Sequence, residues 1–191
     1  MIGLTGGIAS GKSAVGERLR LLGAVVLDAD QLSREVVEPH TPGWERIREH
    51  FPEVIEDNGP INRAKLGQII FADAKKRKVL EGIIHPEVLL RLKARAQKAE
   101  AQGKIVFAEV PLLFEVGWEK WMEAVWVVYV RPEVQLERLM KRTGLSSQAA
   151  RERIASQWPL DEKVKRAQVV IDNNRSLAET WQQVDALWKE I

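Results

Sequence analysis

Eight consecutive residues near the N-terminus, Gly6-Gly7-Ile8-Ala9-Ser10-Gly11-Lys12-Ser13, combine three glycines, a lysine and two hydroxyl side chains. They fit the pattern of glycine, four residues, glycine, lysine, and then serine or threonine. In such a loop, successive backbone N–H groups wrap a phosphate, and the following helix adds the positive partial charge of its N-terminus. Lys12 is placed to bind the β- and γ-phosphates of a nucleotide, and the Ser13 hydroxyl to hold Mg2+. The alternative is a strand-to-helix turn that binds nothing.

Two aspartates, Asp28 and Asp30, follow the predicted second strand. An i, i+2 pair presents two carboxylates on the same side, one for Mg2+ or its waters and one to accept the proton of an attacking hydroxyl. The alternative is that Asp30 only caps a helix that begins at Gln31. Arg34 lies one helical turn beyond Asp30, and it either holds an anionic group of a substrate or pairs with Asp30 or Glu38.

Arg138 and Arg142 lie four residues apart on one predicted helix face. A planar guanidinium suits phosphoryl oxygens, and an arginine that closes over the transferring group raises the rate strongly. The alternative is a solvated basic face on which these arginines pair with Glu133 or Glu137.

Two further stretches are candidates for a substrate site. His85-Pro86 is predicted to start a helix that runs to residue 101, and a capping or packing role for His85 is as plausible as a ligand contact. Residues 111–115 follow the third predicted strand as an apolar ledge that ends in Glu115; they either line a pocket or belong to the core. His40, His50 and His85 are not spaced as a metal cluster.

The elements that must position these residues are read from hydrophobic patterning. Residues 1–5 form the first predicted strand, and residues 13–22 form an amphipathic helix. Four more strands are predicted, at residues 24–27, 104–108, 125–130 and 168–171. Their nearly continuous apolar character is typical of parallel strands buried on both faces, and predicted helices separate them. The fold class is therefore α/β, with ligands expected at the carboxyl edge of a five-stranded parallel sheet.

Two regions are longer than the single helix that is needed to connect two parallel strands. Residues 31–102 contain helical patterns and no convincing strand, and they predict a helical insertion. Residues 136–164 are rich in Arg and Lys and predict a small helical lid. The remaining segments, 1–30, 103–135 and 165–191, form the predicted nucleotide-binding core.

Composition excludes several classes of protein. With 191 residues, 29 Lys+Arg and 27 Asp+Glu, the net charge is +2, too small to indicate nucleic-acid binding by charge alone. The chain has no cysteine, which excludes disulfides, thiolate metal sites and thiol nucleophiles. No signal peptide or long apolar run is visible, so we expect a cytoplasmic protein without a membrane partner, either a monomer or a weak homo-oligomer.

The plan of core, helical insertion and Arg-rich lid is that of small-metabolite kinases, which must exclude water so that ATP is not hydrolysed. The guanine-specificity motif Asn-Lys-x-Asp of GTPases is absent; Asp172-Asn173-Asn174-Arg175 lies near its place with the wrong residues.

The chain resembles the dephospho-CoA kinase family over its whole length and in the right order. The stretches that carry the resemblance are Leu4 to Ser13, Asp28-Ala29-Asp30, Arg34 to Val37, Gly59, Arg63, Leu66, Phe71, His85-Pro86, Pro111 to Glu115, Arg138, Arg142, Arg153-Ile154, Gln157 and Ile171-Asp172-Asn173.

The resemblance implies ATP- and Mg2+-dependent phosphorylation of the ribose 3′-hydroxyl of dephospho-CoA, the last step of coenzyme A synthesis. It implies that Asp30 is the base, that Lys12, Arg138 and Arg142 stabilise the γ-phosphoryl group, and that residues 31–102 receive the CoA half. The expected ATP site consists of Gly6, Gly7, Ile8, Ala9, Ser10, Gly11, Lys12, Ser13, Ala14 and Asn173, the last near the adenine. The expected dephospho-CoA site consists of Thr5, Arg34, His85, Leu112 and Glu115.

The chain departs from the usual family pattern at four positions: Ala14, Glu109, Gln168 and Arg175. None of these is Lys12, Asp30 or a lid arginine. Two other readings remain open: another small-molecule kinase, which a panel of acceptors would separate, and a nucleotide-dependent switch, which would have no need of Asp30.

Overall fold

The computed structural model describes all 191 residues, Met1–Ile191. Five strands form one sheet in the order β2-β3-β1-β4-β5. Their bounds are β1 Ile2–Gly6, β2 Val25–Asp28, β3 Val106–Glu109, β4 Ala124–Tyr129 and β5 Val169–Asp172. The strand β1 pairs in parallel with β3 and β4, and β4 pairs in parallel with β5. The predicted five-stranded parallel α/β sheet is confirmed.

Nine α-helices connect and flank the strands. They are α1 Lys12–Leu21, α2 Ala29–Glu35, α3 Pro42–His50, α4 Arg63–Ala72, α5 Ala74–Glu100, α6 Pro132–Thr143, α7 Ser147–Ala155, α8 Leu160–Val164 and α9 Leu177–Trp188. Two 3-10 helices lie at Pro52–Val54 and Glu119–Trp121. None of the helices has both the length and the apolar character that crossing a bilayer requires.

The chain divides into two compact units. One consists of Met1–Leu27 with Lys98–Ile191, and the other of Asp28–Gln97. The bounds predicted from the sequence, with an insertion at 31–102 and a lid at 136–164, stay predictions.

The core of the first unit lies where α1 and α9 cover the sheet. Leu4, Val15, Phe107, Ile171 and Val184 are buried there, one each from β1, α1, β3, β5 and α9. A bidentate ion pair between Arg18 and Asp185, with N–O distances of 2.6 and 2.5 Å, also joins α1 to α9. These contacts fix α1, and with it the loop between β1 and α1, against the sheet.

The second unit is helical. Trp44 and Ile47 of α3 are fully buried, and the indole N–H of Trp44 donates to the Gly59 carbonyl at 3.0 Å. The predicted cap of α4 is present, because the Asn62 side chain accepts from the Lys65 N–H. A single antiparallel bridge, between Ile55 and Ile61, is the only β-pairing in this unit.

The predicted start of a helix at Pro86 is wrong, because α5 begins at Ala74 and runs through Pro86. Pro86 lies on the exposed side of α5, while Leu80, Ile83, Val88 and Leu92 form one buried stripe across it. Burial of that continuous apolar face outweighs the cost of a proline inside a helix.

The alternative role considered for Asp30, as the cap of a helix that begins at Gln31, is not what the structure shows. Asp28 is the N-cap residue, and its carboxylate accepts from the N–H groups of Asp30 and Gln31. Asp30 itself lies in the first turn of α2.

The N-terminus of α9 generates a stability prediction. Ser176 and Glu179 form a reciprocal capping box at that end. Ser176→Ala removes the acceptor for the Glu179 N–H, so we expect the free energy of unfolding in urea to fall by about 1 kcal/mol. Ser147→Ala, on a helix whose cap is Ser146, is the matched control and should leave the urea midpoint unchanged. Equal midpoints for both variants would contradict a stabilising role for the box.

Candidate functional site

The glycine-rich loop between β1 and α1 has a backbone shaped by two left-handed residues. Ala9 has φ 58° and Gly11 has φ 89°. Gly11 is the N-cap of α1 and supplies no side-chain acceptor, and no acidic residue lies in the first turn. The N–H groups at the start of α1 therefore face outward with the positive end of the helix dipole, which is the arrangement that binds a phosphate.

Asn173, the residue that follows β5, holds this loop by a hydrogen bond. Its side-chain N–H donates to the Ser10 carbonyl at 2.7 Å, and its side-chain oxygen accepts from the Thr180 hydroxyl at 2.7 Å. A Cβ at Gly11 would lie 2.0 Å from the Asn173 nitrogen. The glycine is thus required both by its positive φ and by the approach of Asn173.

Lys12 and Ser13 meet a carboxylate from the end of β3. The Lys12 ammonium donates to Glu109 Oε1 at 2.7 Å, and the Ser13 hydroxyl lies 3.5 Å from the same oxygen. The side chains of Lys12 and Glu109 are only 12% and 6% exposed, so their attraction is weakly screened.

The second oxygen of Glu109 lies further along the same face of α1, beside Gly16 and Arg20. Arg20 is 3.9 Å from Glu109 Oε2. A Cβ at Gly16 would lie 2.9 Å from that oxygen, so the glutamate side chain fills the space that the glycine leaves.

The ledge after β3 is built around a second buried ion pair. Lys163 of α8 is fully buried, and its ammonium lies 2.8 Å from Glu115 Oε1 and donates to the Pro111 carbonyl at 3.0 Å. Thr5 donates to the same carbonyl at 3.2 Å. Burial lowers the pKa of Lys163, the Glu115 carboxylate opposes this lowering, and the nearby charge of Lys12 adds to it.

These contacts place three of the residues predicted for the dephospho-CoA site. Thr5 and Glu115 meet around Pro111 and are engaged with the protein itself, whereas Leu112 beside them is exposed. Glu115 Oε1 also accepts from the Trp158 N–H at 2.9 Å, while its Oε2 is buried without a hydrogen-bond partner.

Arg138 and Arg142 both lie on α6. Arg138 is half-buried and Arg142 is exposed. Neither guanidinium forms an ion pair with Glu133 or Glu137 or with any other carboxylate. Their charges are therefore not neutralised by a neighbour on the helix.

Asp30, Arg34 and His85 belong to the second unit. Asp30 and Arg34 are exposed on α2, and Arg34 forms no ion pair with Glu38. The next residue, Glu35, pairs with Arg95 of α5 at 2.5 Å. His85 is half-buried in the middle of α5, where burial lowers its pKa against the opposing charge of Glu81.

Two buried polar residues at this site were not identified from sequence. They are Gln135, which is 5% exposed on α6, and Lys163. Each lies at helical spacing from a buried leucine, Leu139 and Leu160 respectively, so a polar residue on an apolar helix face was the available signal.

Comparisons with known proteins agree on one family. Residues 1–179 match the family model described as Dephospho-CoA kinase. A dephospho-CoA kinase of Geobacillus kaustophilus is 47% identical over 191 residues, which cover 99% of this chain and 95% of that protein.

Two solved structures have the same fold throughout. One, described as TT1252 from Thermus thermophilus, has a TM-score of 0.84 at 37% identity and covers 100% of this chain and 96% of its own. The other, dephospho-CoA kinase from Campylobacter jejuni, has a TM-score of 0.77 at 31% identity, with coverages of 99% and 95%.

The contact between Gly11 and Asn173 generates a prediction for the loop. Gly11→Ala adds a Cβ at a positive φ and drives it into Asn173, so we expect the affinity for ATP, measured by calorimetry, to fall at least tenfold. Gly103→Ala is the control, because Gly103 also has a positive φ, 73°, but nothing within 4 Å of its Cβ position. That variant carries the conformational strain alone, of about 1 kcal/mol, and should bind ATP normally. Equal ATP affinities for the two variants would contradict the role of Asn173.

The environment of His85 generates a prediction for pH. Its pKa is lower in the folded protein than the ordinary 6.5, so the unfolded chain binds more protons as the pH falls below that value. The contribution of neutral His85 to the free energy of unfolding is complete above pH 6.5, and it is lost as the pH falls through the lowered pKa of the folded protein. We expect wild-type unfolding midpoints to decline more steeply below pH 6.5 than those of His85→Gln. His50→Gln, at an exposed histidine, should follow the wild type; parallel curves for all three proteins would contradict the prediction.

Proposed function

The chain belongs to the dephospho-CoA kinase family, and from this we infer that it catalyses ATP-dependent phosphorylation of the ribose 3′-hydroxyl of dephospho-CoA, giving coenzyme A and ADP. The observation that carries this inference is the family match over residues 1–179. The loop around Lys12 and Ser13 supports it with the geometry that a nucleoside triphosphate needs.

We propose that the phosphates of ATP bind the loop of residues 6–13 and the start of α1. Lys12 exchanges Glu109 for the β- and γ-phosphates, since the phosphates carry more negative charge than one carboxylate. Ala14 completes the first turn of α1. Asn173 contributes to this site through the Ser10 carbonyl, because its own amide is bonded to Ser10 and Thr180.

The residues around Ser13 suit Mg2+, which prefers oxygen ligands. The Ser13 hydroxyl would be its direct ligand, and Glu109 would accept hydrogen bonds from its waters. When bound there, Mg2+ would supply positive charge against the negative charge that develops on the phosphate oxygens. Glu109 is thereby assigned two partners, Lys12 before the nucleotide binds and the hydrated metal afterwards.

Asp30 is proposed to accept the proton of the ribose 3′-hydroxyl as its oxygen attacks the γ-phosphorus, while the bond from that phosphorus to the β–γ bridging oxygen breaks. Arg138 and Arg142 stabilise the negative charge on the transferring group and the leaving ADP, a role suited to guanidinium groups without a protein counterion. Arg34 is proposed to bind an anionic part of dephospho-CoA, with Thr5, His85, Leu112 and Glu115 shaping the rest of its site.

We also propose a cytoplasmic enzyme, either monomeric or weakly homo-oligomeric, that acts without a nucleic acid or a membrane. The net charge of +2 supports the absence of a nucleic-acid partner. Sedimentation velocity over a range of protein concentrations tests the oligomeric state.

The test of the function is coupled ADP release with ATP, Mg2+ and dephospho-CoA, with AMP, adenosine and pantothenate as control acceptors. We expect release that depends on dephospho-CoA, one added phosphate at the 3′ position by mass spectrometry, and loss of activity in EDTA that Mg2+ restores. Intact ATP binding with no dependence on dephospho-CoA would overturn the assignment.

Asp30→Asn generates a kinetic prediction. The amide cannot accept the proton, so we expect kcat to fall by about 10² or more with the KM for ATP changed less than threefold. Lys12→Ala should instead weaken ATP binding as well as turnover. An Asp30→Asn variant altered only in its affinity for ATP would assign Asp30 to nucleotide binding.

The two lid arginines generate the last kinetic prediction. Phosphoryl transfer is loose, with little bonding to the nucleophile in the transition state, so charge stabilisation matters more than proton removal. We expect Arg138→Ala or Arg142→Ala to lower kcat by about 10³, more than Asp30→Asn does. Arg151→Ala, at an exposed position on α7, is the control with unchanged kcat. Normal kcat values in both lid variants would remove these arginines from the mechanism.

A further inference from the structure

One residue of the phosphate-binding loop, Ile8, is held by two glutamines from outside the loop. The Ile8 N–H donates to Gln157 Oε1 at 2.8 Å, and Gln135 Nε2 donates to the Ile8 carbonyl at 2.9 Å. Ile8 makes no hydrogen bond to another backbone group. Both polar groups of this residue therefore depend on the glutamine pair, Gln135 and Gln157.

The residue after Ile8 shows why such support is needed. Ala9 adopts a left-handed backbone with φ 58°, which is unfavourable for a residue with a Cβ and persists only where surrounding contacts impose it. The glutamine pair fixes the backbone that leads into Ala9. The turn that follows presents its N–H groups to the phosphates.

The position of Gln135 is matched to the loop. A Cβ at Gly7 would lie 2.5 Å from Gln135 Nε2 and 3.2 Å from Leu160 Cγ. Gly7 thus permits the close approach of Gln135, whose buried amide must find a partner. Gly7 and Gln135 therefore pack directly against each other beside Ile8.

Gln157 lies at the start of a segment, residues 157–163, that is anchored to the core. Its neighbour Trp158 donates its N–H to Glu115, and the Trp158 ring stacks on Phe114 at an interplanar angle of 8°. At the other end of the segment, the buried Lys163 bonds Glu115 and Pro111. The acceptor of Gln157 is therefore carried by a chain segment that is anchored directly on its C-terminal side.

We propose that Gln135 and Gln157 are positioning residues for the phosphates of ATP. They hold Ile8 by its N–H and carbonyl, and so preset the turn at Ala9 before the nucleotide arrives. Neither side chain touches the phosphates in this proposal, and their effect passes through the loop. The proposal deepens the inferred kinase function and rests on it for the identity of ATP as the phosphoryl donor.

The test uses Gln157→Met and Gln135→Met, which keep side-chain length and remove the hydrogen-bonding groups. We expect each variant to raise the Kd for ATP and the Ki of inorganic tripolyphosphate, a competitor with no adenine, by about tenfold. The KM for dephospho-CoA should change less than twofold. Gln148→Met, at an exposed glutamine whose side chain bonds only Glu152, is the matched control with unchanged values.

A double variant sharpens the test. Because both glutamines hold the same residue, Gln135→Met/Gln157→Met should weaken tripolyphosphate binding by much less than the product of the single effects. Multiplicative effects would show that the two residues act separately and would overturn the paired mechanism. If Gln135→Met does not fold, as judged by circular dichroism, Gln157→Met alone decides the proposal through its Ki.

The remaining outcomes separate positioning from general stability. A lowered melting temperature with normal ATP and tripolyphosphate affinities would make the glutamines structural and overturn the proposal. Wild-type protein that binds ATP but does not phosphorylate dephospho-CoA would refute the inferred function, while calorimetry with tripolyphosphate would still decide the role of the pair.

Discussion

A loop that binds phosphate with its backbone must leave N–H groups without partners inside the protein. Unpaired polar groups are costly once buried, so the rest of the loop has to be bonded elsewhere to keep its shape. In this chain the partners come from three separate parts of the first unit. Gln135 and Gln157 bond Ile8, and Asn173 bonds the Ser10 carbonyl. The shape of the loop is thus a property of the assembled core rather than of the eight residues alone.

The same unit holds two lysines whose positive charges repel each other: Lys163, which is fully buried, and Lys12, whose side chain is 12% exposed. Lys12 pairs with Glu109, which is the last residue of β3. Lys163 pairs with Glu115, which lies in the segment that follows β3. A buried charge is tolerated only when it is paired and hydrogen-bonded. Lys163 is bonded to both Glu115 and the Pro111 carbonyl, so Lys12 is the lysine that we propose exchanges its carboxylate for the phosphates of a nucleotide. The lysine proposed to bind the nucleotide and the lysine that holds residues 111–115 thus pair with two different carboxylates.

Sequence patterning predicted the sheet because its strands are buried on both faces and read as continuous apolar runs. It also predicted the loop, since the chemistry of phosphate binding fixes residue types at fixed spacing. It failed at Pro86, where a local rule about helix starts was outweighed by a buried stripe on both sides of the proline. It did not identify Gln135 or Lys163 because the partners of a buried polar residue lie far away in the chain, and local spacing does not encode them.

Glu109 has a further consequence through its contact with α1. Its carboxylate occupies the space beside Gly16, where a Cβ would come within 2.9 Å of Oε2. An aspartate at 109, one methylene shorter, would withdraw from that space and leave room for alanine at 16, a better helix former than glycine. The length of the acid at position 109 therefore limits the size of the side chain that position 16 of α1 accepts. A designer who places glutamate at position 109 of a related sequence must therefore also keep glycine at position 16, whereas the glycine alone places no demand on position 109.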